Sequence, residues 1–543
     1  SDVPATLTLG IDSSPCNCPI PDDQVKENDE MVRMFRPCGY ASDGSGLSAE
    51  YETRYTGLRI YYRMAAFSPA GAETCGGAPC FTGRALSVDT CCQIRTSRDL
   101  DPRLDAEFPG SISYDSALVR AGAALGRRRE DSDVAIDGDP EAQSAVRYVI
   151  YQLMANCSSR DPSVSIGARG LTHTRYKGCC FWDTEMFILP FFLLSDPEAA
   201  RSLLSFRVRT LPQAREHARK MNGTGARYPW MVSLDGSEQC ESWDIGCSEV
   251  HVTADIAYAL GQYLDWTGDG GFFLGGGAAA LIVTARFWPS PYSPAPDGGV
   301  NLLFCKGPDE YCGITSNNLY TNVMVRHNVD LAARAAERLS RLDAGQYAQL
   351  GLTVDEIKSW RELYGKIKLP RDRETGRWRQ DDTFHLLEPV DMGALKPDDS
   401  AAYSRVCFDA LQRLKVIKQA DVLLLMTRMP ELFSREEKLA AWEDFEPLCI
   451  HDSTLSFATH ALFAAQNGLS DDAMRYFTKA LWLDLRDVMC NTGKEGLHLA
   501  CLGETYQSLV FGFAGLHLED GQPALSPNLP EGWRSLRFRF HFR

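Results

Sequence analysis

The chain has 543 residues, a formal net charge of −16, 44% hydrophobic residues and 24% charged residues. That length is too great for one ordinary core and suits a large helical barrel with β elements attached. The acidic balance argues against nucleic acid as a partner, although a small phosphate needs only a local cluster of donors; no apolar run approaches the ~20 residues of a membrane span.

In chain order, residues 1–48 are rich in Cys, Pro, Asp and Gly and read as irregular structure. β-forming runs follow at 50–67 and 86–97. The charged stretch 126–139, with Arg127, Arg128 and Arg129 followed by Glu130 and Asp131, reads as a linker. From Pro140 the apolar spacing becomes three-and-four. It predicts helices over 142–155, 250–266, 278–288, 320–342, 401–411, 421–429, 455–467, 471–485 and 504–516. The run 187–194 is apolar but short and contains Pro190, so it is a buried helix start. About a dozen helices joined by long loops fit an (α/α)6 barrel, with an inner ring shielded by an outer one and the site at one mouth. From 517 to 543 the pattern alternates again and predicts a small β element.

Cysteine is plentiful, at 18 residues. Cys16-x-Cys18 and Cys75-x4-Cys80 lack histidines at zinc-site spacing, so no metal is implied and most thiols are expected to be free and buried. No charged-then-apolar signal segment opens the chain, and a cytoplasmic location is expected. The glycine-rich stretch 270–277 lacks the Lys-Ser/Thr of a phosphate-binding loop, no dinucleotide fingerprint is present, and no cofactor is expected.

The stretch 307–322 is the richest in chemistry. Gly307, Pro308 and Asp309 form a stiff turn that presents Glu310, and a single acid so presented is what glycosidic cleavage needs as proton donor. The amides Asn317, Asn318 and Asn322 suit a sugar cleft, or equally an Asx-rich turn that caps a helix at Thr321. Trp182-Asp183 offers an aromatic face beside a carboxylate, the usual means of holding a sugar; the alternative is a buried Trp with Asp183 as a helix N-cap. Inverting cleavage by water needs a second carboxylate as base, whereas phosphate attacks as an anion and needs none. The candidate bases are Glu446 and Glu504.

Further blocks occur in a fixed order: Ser165-Ile-Gly-Ala-Arg-Gly-Leu-Thr172, Phe181-Trp-Asp-Thr-Glu185, Arg227-Tyr-Pro-Trp230, Glu249-Val-His-Val-Thr-Ala-Asp255, Gly307-Pro-Asp-Glu-Tyr311, Lys418-Gln-Ala-Asp421, His451-Asp-Ser-Thr-Leu-Ser456 and Gly496-Leu-His498. Together they resemble the inverting disaccharide phosphorylases of glycoside hydrolase family 65, which act on maltose, trehalose, kojibiose and nigerose. The resemblance covers residues 50–543. It implies a catalytic (α/α)6 barrel at 140–516, a small C-terminal β sheet at 517–543, a linker at 126–139, and a shortened β-sandwich-like region at 1–125. It also implies cleavage of a disaccharide by inorganic phosphate to β-glucose 1-phosphate and a free sugar, in a homodimer.

On the same resemblance Glu310 is the general acid, and Arg169, Trp182 and Asp183 hold the glucosyl unit. Lys418 and Gln419 line the cleft, Glu238 lies on an acidic acceptor-side loop, and His451, Ser453, Thr454 and His498 hold phosphate. Read locally, His451 could instead be a core or capping histidine, Ser453 and Thr454 a helix N-cap, and Lys418 part of a solvated face. Two departures stand out. Cys312-Gly313 replaces the family's His-Glu, which leaves the acceptor open, and Gly503-Glu-Thr-Tyr506 replaces Gly-Gly-Thr-Trp, placing Glu504 near the phosphate loop. The alternatives are an inverting α-glucosidase of trehalase or kojibiosidase type, with Glu446 or Glu504 as base, and a non-catalytic carbohydrate-binding protein.

Overall fold

The computed structural model describes residues 5–8, 35–43, 46–54, 56–68, 73–75, 78–83, 87–99, 101–104, 113–159, 161–172, 175–240, 242–397 and 400–543. Two compact units divide between Glu130 and Asp131. The first is built on two antiparallel sheets. One has the order Phe35–Asp43, Gly46–Thr53, Arg59–Phe67, Asp89–Thr96; the other has the order Ala5–Thr8, Ala78–Gly83, Glu73–Cys75. Leu47 and Ala49 alternate inward on one strand, as a half-buried sheet requires. Part of the stretch expected to be irregular is therefore strand. Phe35–Asp43 escaped notice because it is an edge strand, largely exposed, with Pro37 and Gly39 at a register shift, where a sheet tolerates them. Cys16 and Cys18 lie outside the described residues.

The stretch read as a linker is regular structure instead. Helix Tyr114–Ser132 is followed by strand Val134–Asp137, which pairs antiparallel with Ser535–Phe538. The basic run 127–129 is the solvent face of the last helical turns, where charge mimics the composition of a linker. The C-terminal alternation thus becomes two things: the hairpin Leu516–Glu519 with Gln522–Leu525, and the strand that stitches residues 535–538 onto 134–137.

The second unit is a double ring. Its inner members are Thr184–Ile188 continuing as Leu189–Ser195, then Val252–Thr267, Leu319–Leu342, Val422–Arg428, Thr454–Asn467, and Leu499–Gln507 continuing as Ser508–Phe513. Each packs on the next and the last packs on the first. One outer helix precedes each of them along the chain, namely Pro140–Ala155, Pro197–Arg209, Ala278–Ala285, Val354–Lys366, Arg435–Phe445 and Ser470–Leu481, each lying against one or two inner helices. This is an (α/α)6 barrel. The predicted helix at 401–411 is broken into the turn Ala402–Ser404, whose Ala402 N–H bonds the Asp452 carboxylate (2.7 Å), and the short Phe408–Leu411.

Inner helices run parallel when each is separated from the next by an antiparallel outer one, so their N-termini gather at one mouth. The residues at those N-termini are Asp183, His251, Asn318, Asp421, Ser453 and His498. Helix dipoles make such a mouth favourable to negative charge. Where the ring closes, a Cβ on Gly503 would stand 2.3 Å from Phe187 O, and Gln507 Nε2 donates to the carbonyls of Met186 (3.1 Å) and Phe187 (2.8 Å) in the wide turn Thr184–Ile188.

Candidate active site

Strand Val300–Cys305 leads into the turn that carries Glu310. Only glycine fits at 307: a Cβ there would lie 2.1 Å from Asp421 Oδ2 and 2.2 Å from Asn318 Nδ2. Asp309, fully buried, anchors the turn by accepting from Lys418 N (2.9 Å), Tyr311 N (3.2 Å) and Gln380 Nε2 (3.1 Å), and burial pushes its carboxyl up to about 7. Glu310 remains 8% exposed. Lys418 Nζ donates to its Oε2 (3.0 Å) and Gln419 Nε2 to its Oε1 (3.1 Å). Lys418 is thus buried against the acid and not on a solvated face. With Gln419 it fixes the acid's orientation through both oxygens.

Beside this clamp, Trp182 is buried edge-on against Phe187, His251 and Tyr320, with centroids 5.0, 4.9 and 6.2 Å apart. Asp183 makes no cap hydrogen bond to the helix it precedes, so the capping alternative does not hold for it. The other acid of the same block, Glu185, is held by Arg207 through two bonds of 2.7 Å. His251 forms a buried relay: its Nδ1 meets Asp255 Oδ2 (2.7 Å), Tyr320 OH donates to Asp255 Oδ1 (2.9 Å), and Glu249 Oε2 stands 3.8 Å from His251 Nε2 while accepting from Trp230 Nε1 (2.5 Å). Burial raises the Glu249 carboxyl, and the neighbouring Glu310 charge adds to that.

Burial opposes charge on His251, but Asp255 and Glu249 outweigh it and hold its pKa at about 9. The folded state therefore keeps a proton that the unfolded state loses above about 6.5. This contribution to stability is complete below about pH 6.5 and is lost as pH rises through about 9. Thermal melts from pH 6 to 10 are expected to show Tm falling across that interval, with a flatter profile in His251→Gln; parallel profiles would remove His251 from the account.

Arg169 and His498 form a corner with unused polar atoms. Arg169, 7% exposed, gives Nη2 to Glu495 (2.9 Å), while its Nε and Nη1 are buried with no partner among the described residues. His498, 3% exposed, gives its backbone N–H and Nδ1 to Asp484 (2.9 and 2.6 Å). A carboxylate only accepts, so neutral His498 carries its lone pair on Nε2, which is also buried and unpartnered among the described residues. Burial first, and the Arg169 charge second, hold the His498 pKa down.

Ser453 caps the helix Thr454–Asn467, accepting from Leu455 N (3.3 Å), and Thr454 stands half-buried at its first position. His451, at φ +56°, packs on Phe457, with Nδ1 2.8 Å from Ser456 Oγ and Nε2 3.2 Å from Tyr476 OH. The local alternatives of cap and packed histidine thus describe what Ser453 and His451 do in the fold.

Several residues proposed as ligands turn out to be committed elsewhere. Asn318 caps its helix through Thr321 N (2.8 Å) and holds Asp421 (2.8 Å); Asn317 bonds Asn301 and Asp382; Asn322 bonds Tyr292 and Lys368 O. The amide run is therefore a structural turn. Glu238 accepts from four backbone N–H groups, of Trp230 (2.6 Å), Met231 (2.9 Å), Gln239 (3.1 Å) and Cys240 (3.0 Å), so its carboxylate organises its own loop. Glu504 is fully buried between Arg428 Nη2 and Thr459 Oγ1, both at 2.7 Å, tying three inner helices together. It lies six residues into the last inner helix from His498, about 9 Å below the mouth. Glu446 accepts from Tyr476 OH (2.5 Å) and Arg475 (2.9 Å).

Residues 147–507 match the model of the glycosyl hydrolase family 65 central catalytic domain, and residues 516–543 match the family's C-terminal domain. The chain belongs to glycosyl hydrolase family 65. Among curated relatives, a kojibiose phosphorylase of Halothermothrix orenii is 34% identical over 84% of this chain and 63% of its own length. An α,α-trehalose phosphorylase of Thermoanaerobacter brockii is 33% identical over 76% and 54%, and a maltose phosphorylase of Bacillus subtilis 31% identical over 79% and 56%. A solved structure described as a candidate kojibiose phosphorylase from the human microbiome superposes with a TM-score of 0.82 at 25% identity, covering 94% of this chain and 70% of that one. This family 65 chain thus spans between half and two thirds of the length of the curated relatives it matches. No helix among its described residues is long and apolar enough to cross a membrane.

Sequence reading of this family 65 chain placed Asp309 in the turn and quoted Asp421 and the Glu249–His251–Asp255 relay only within motif blocks, giving the last two no role, and it missed Asp484. The signal for the relay was present, since His251 and Asp255 stand four apart and share one helix face. Nothing local marks Asp484 as the partner of His498.

Proposed function

We propose that the chain is an inverting phosphorylase that cleaves an α-glucosidic disaccharide with inorganic phosphate, giving β-glucose 1-phosphate and a free sugar. The observation that carries the reading is the corner formed by Arg169 and His498. Arg169 offers two unused donors and neutral His498 an unused acceptor. Hydrogen phosphate answers both, accepting from the guanidinium through its anionic oxygens and donating its hydroxyl to the imidazole. This assigns Arg169 to the phosphate and not to the glucosyl unit. The N-terminus of Thr454–Asn467, with Ser453 and Thr454, adds a dipole of the right sign.

In this mechanism Glu310 protonates the glycosidic oxygen, held by Lys418 and Gln419, while Trp182 and Asp183 hold the glucosyl ring. Phosphate attacks the anomeric carbon from the opposite face; the new C–O bond forms as the old one breaks, and configuration inverts. No second carboxylate is needed. The engagement of both Glu504 oxygens supports phosphate over water as nucleophile. The kojibiose, trehalose and maltose phosphorylases among the relatives support the substrate class.

The test is product analysis with kojibiose, trehalose, nigerose and maltose, with and without phosphate. Glucose 1-phosphate formed only with phosphate is expected from at least one sugar. Free glucose formed equally in both, and lost in Glu446→Gln, would establish a hydrolase instead. Tight sugar binding without any product would establish a binding protein.

A further inference from the structure

Directly behind the clamp on Glu310 lies a second cluster. Cys449 pairs with Ile417 in a short parallel bridge, next to Lys418 in the chain. The Cys449 thiol and one ring nitrogen each of His451 and His460 lie within 4.8 Å of one another. Cys449 Sγ stands 3.7 Å from His451 Nδ1. Sulfur and nitrogen ligands of one tetrahedral zinc, at about 2.3 and 2.0 Å from the metal, stand about 3.5 Å apart.

The protons are arranged for ligation. Tyr476 OH donates to Glu446, leaving its oxygen to accept from His451 Nε2 (3.2 Å), so His451 Nδ1 carries the lone pair. His460, 0% exposed, gives Nδ1–H to the Ser456 carbonyl (2.8 Å), so its lone pair is on Nε2, which has no partner among the described residues. A backbone carbonyl fixing one imidazole nitrogen as donor is the usual support for a metal-binding histidine. The Ser456 hydroxyl bridges two of the ligand atoms, 2.8 Å from His451 Nδ1 and 3.3 Å from Cys449 Sγ.

We propose that Cys449 Sγ, His451 Nδ1 and His460 Nε2 form a binding site for a divalent cation of the zinc type. The cation reaches it past His451, the most exposed of the three. On binding, the thiol releases its proton to solvent and ligates as thiolate, Ser456 turns aside, and water completes the tetrahedron. Because the thiol must lose its proton to ligate, occupancy rises with pH. With His451 drawn to the metal, the loop at the head of Thr454–Asn467 is locked, and turnover is expected to be inhibited. The inhibition rests on the phosphorolysis reading; the binding does not.

The test is titration of the full chain with Co2+, whose charge-transfer and d–d absorption reports thiolate ligation and tetrahedral geometry. The wild type is expected to show both, with Zn2+ displacing Co2+ and raising Tm. Cys449→Ser should lose the thiolate band and the Tm rise. His460→Gln, a second variant, should weaken binding at least tenfold, and Ser456→Ala should retain it. Exposed thiols such as Cys38, Cys92, Cys407 and Cys490 give a background common to all variants. Spectra and affinity unchanged in Cys449→Ser and His460→Gln, or no tetrahedral spectrum in the wild type, would overturn the site. Loss of phosphate-dependent turnover in the product assay would leave this titration unaffected, so the two readings fail separately.

Discussion

Glu310→Gln is expected to reduce cleavage of natural disaccharides by about 10²- to 10⁴-fold, the usual contribution of a positioned general acid. Gln keeps the shape, and the partners remain: Lys418 Nζ can bond the amide oxygen, and Gln419 lies on the other side. The fold and the sugar affinity should therefore survive, with the loss in kcat and little change in KM. A sugar carrying a good leaving group needs no proton and should recover most of the rate. Near-normal turnover of natural sugars, or a loss not restored by an activated leaving group, would remove Glu310 from the role.

The second large effect is expected at Arg169→Gln. This variant removes two of the three unused polar atoms in the anion corner. Glu495 keeps partners in Arg175 Nη1 (3.4 Å) and Asn491 (3.3 Å), so no buried carboxylate is stranded. Phosphate KM should rise roughly 30- to 5,000-fold, the equivalent of about 2–5 kcal/mol for losing one partner of a buried charged contact. Disaccharide KM should change little. The reverse pattern, with sugar affinity lost and phosphate KM intact, would return Arg169 to the glucosyl unit.

The barrel was legible because inner helices bury most of their surface, and three-and-four apolar spacing survives in them. Thr454–Asn467 and Leu319–Leu342 fall within one residue of their expected starts. Outer helices such as Val354–Lys366 and Arg435–Phe445 were missed because they are mostly solvated, with a thin apolar stripe among charges. Glu310 could be read because a Gly-Pro-Asp turn advertises a presented side chain. The commitments of Glu504 to Arg428 and of Asn318 to Asp421 could not be read locally, since each depends on which distant groups the ring brings near; that of Glu238 depends on how its own loop folds back on it. An acid with four backbone donors or a buried arginine looks, in sequence, the same as an acid facing a substrate.

A ring has a seam, and here the seam carries a kinetic consequence. Gln507 reaches the Met186 carbonyl across 321 residues of chain, and Gly503 fits against Phe187 across the same gap. Closing so long a loop is entropically costly and slow, and contacts of this separation form late. Asp183 stands on one side of the seam and His498 on the other. A nascent chain can therefore build most of its helices during synthesis and still lack the sugar-and-anion pocket, which comes into being only when residues near 500 have emerged and docked on those near 187.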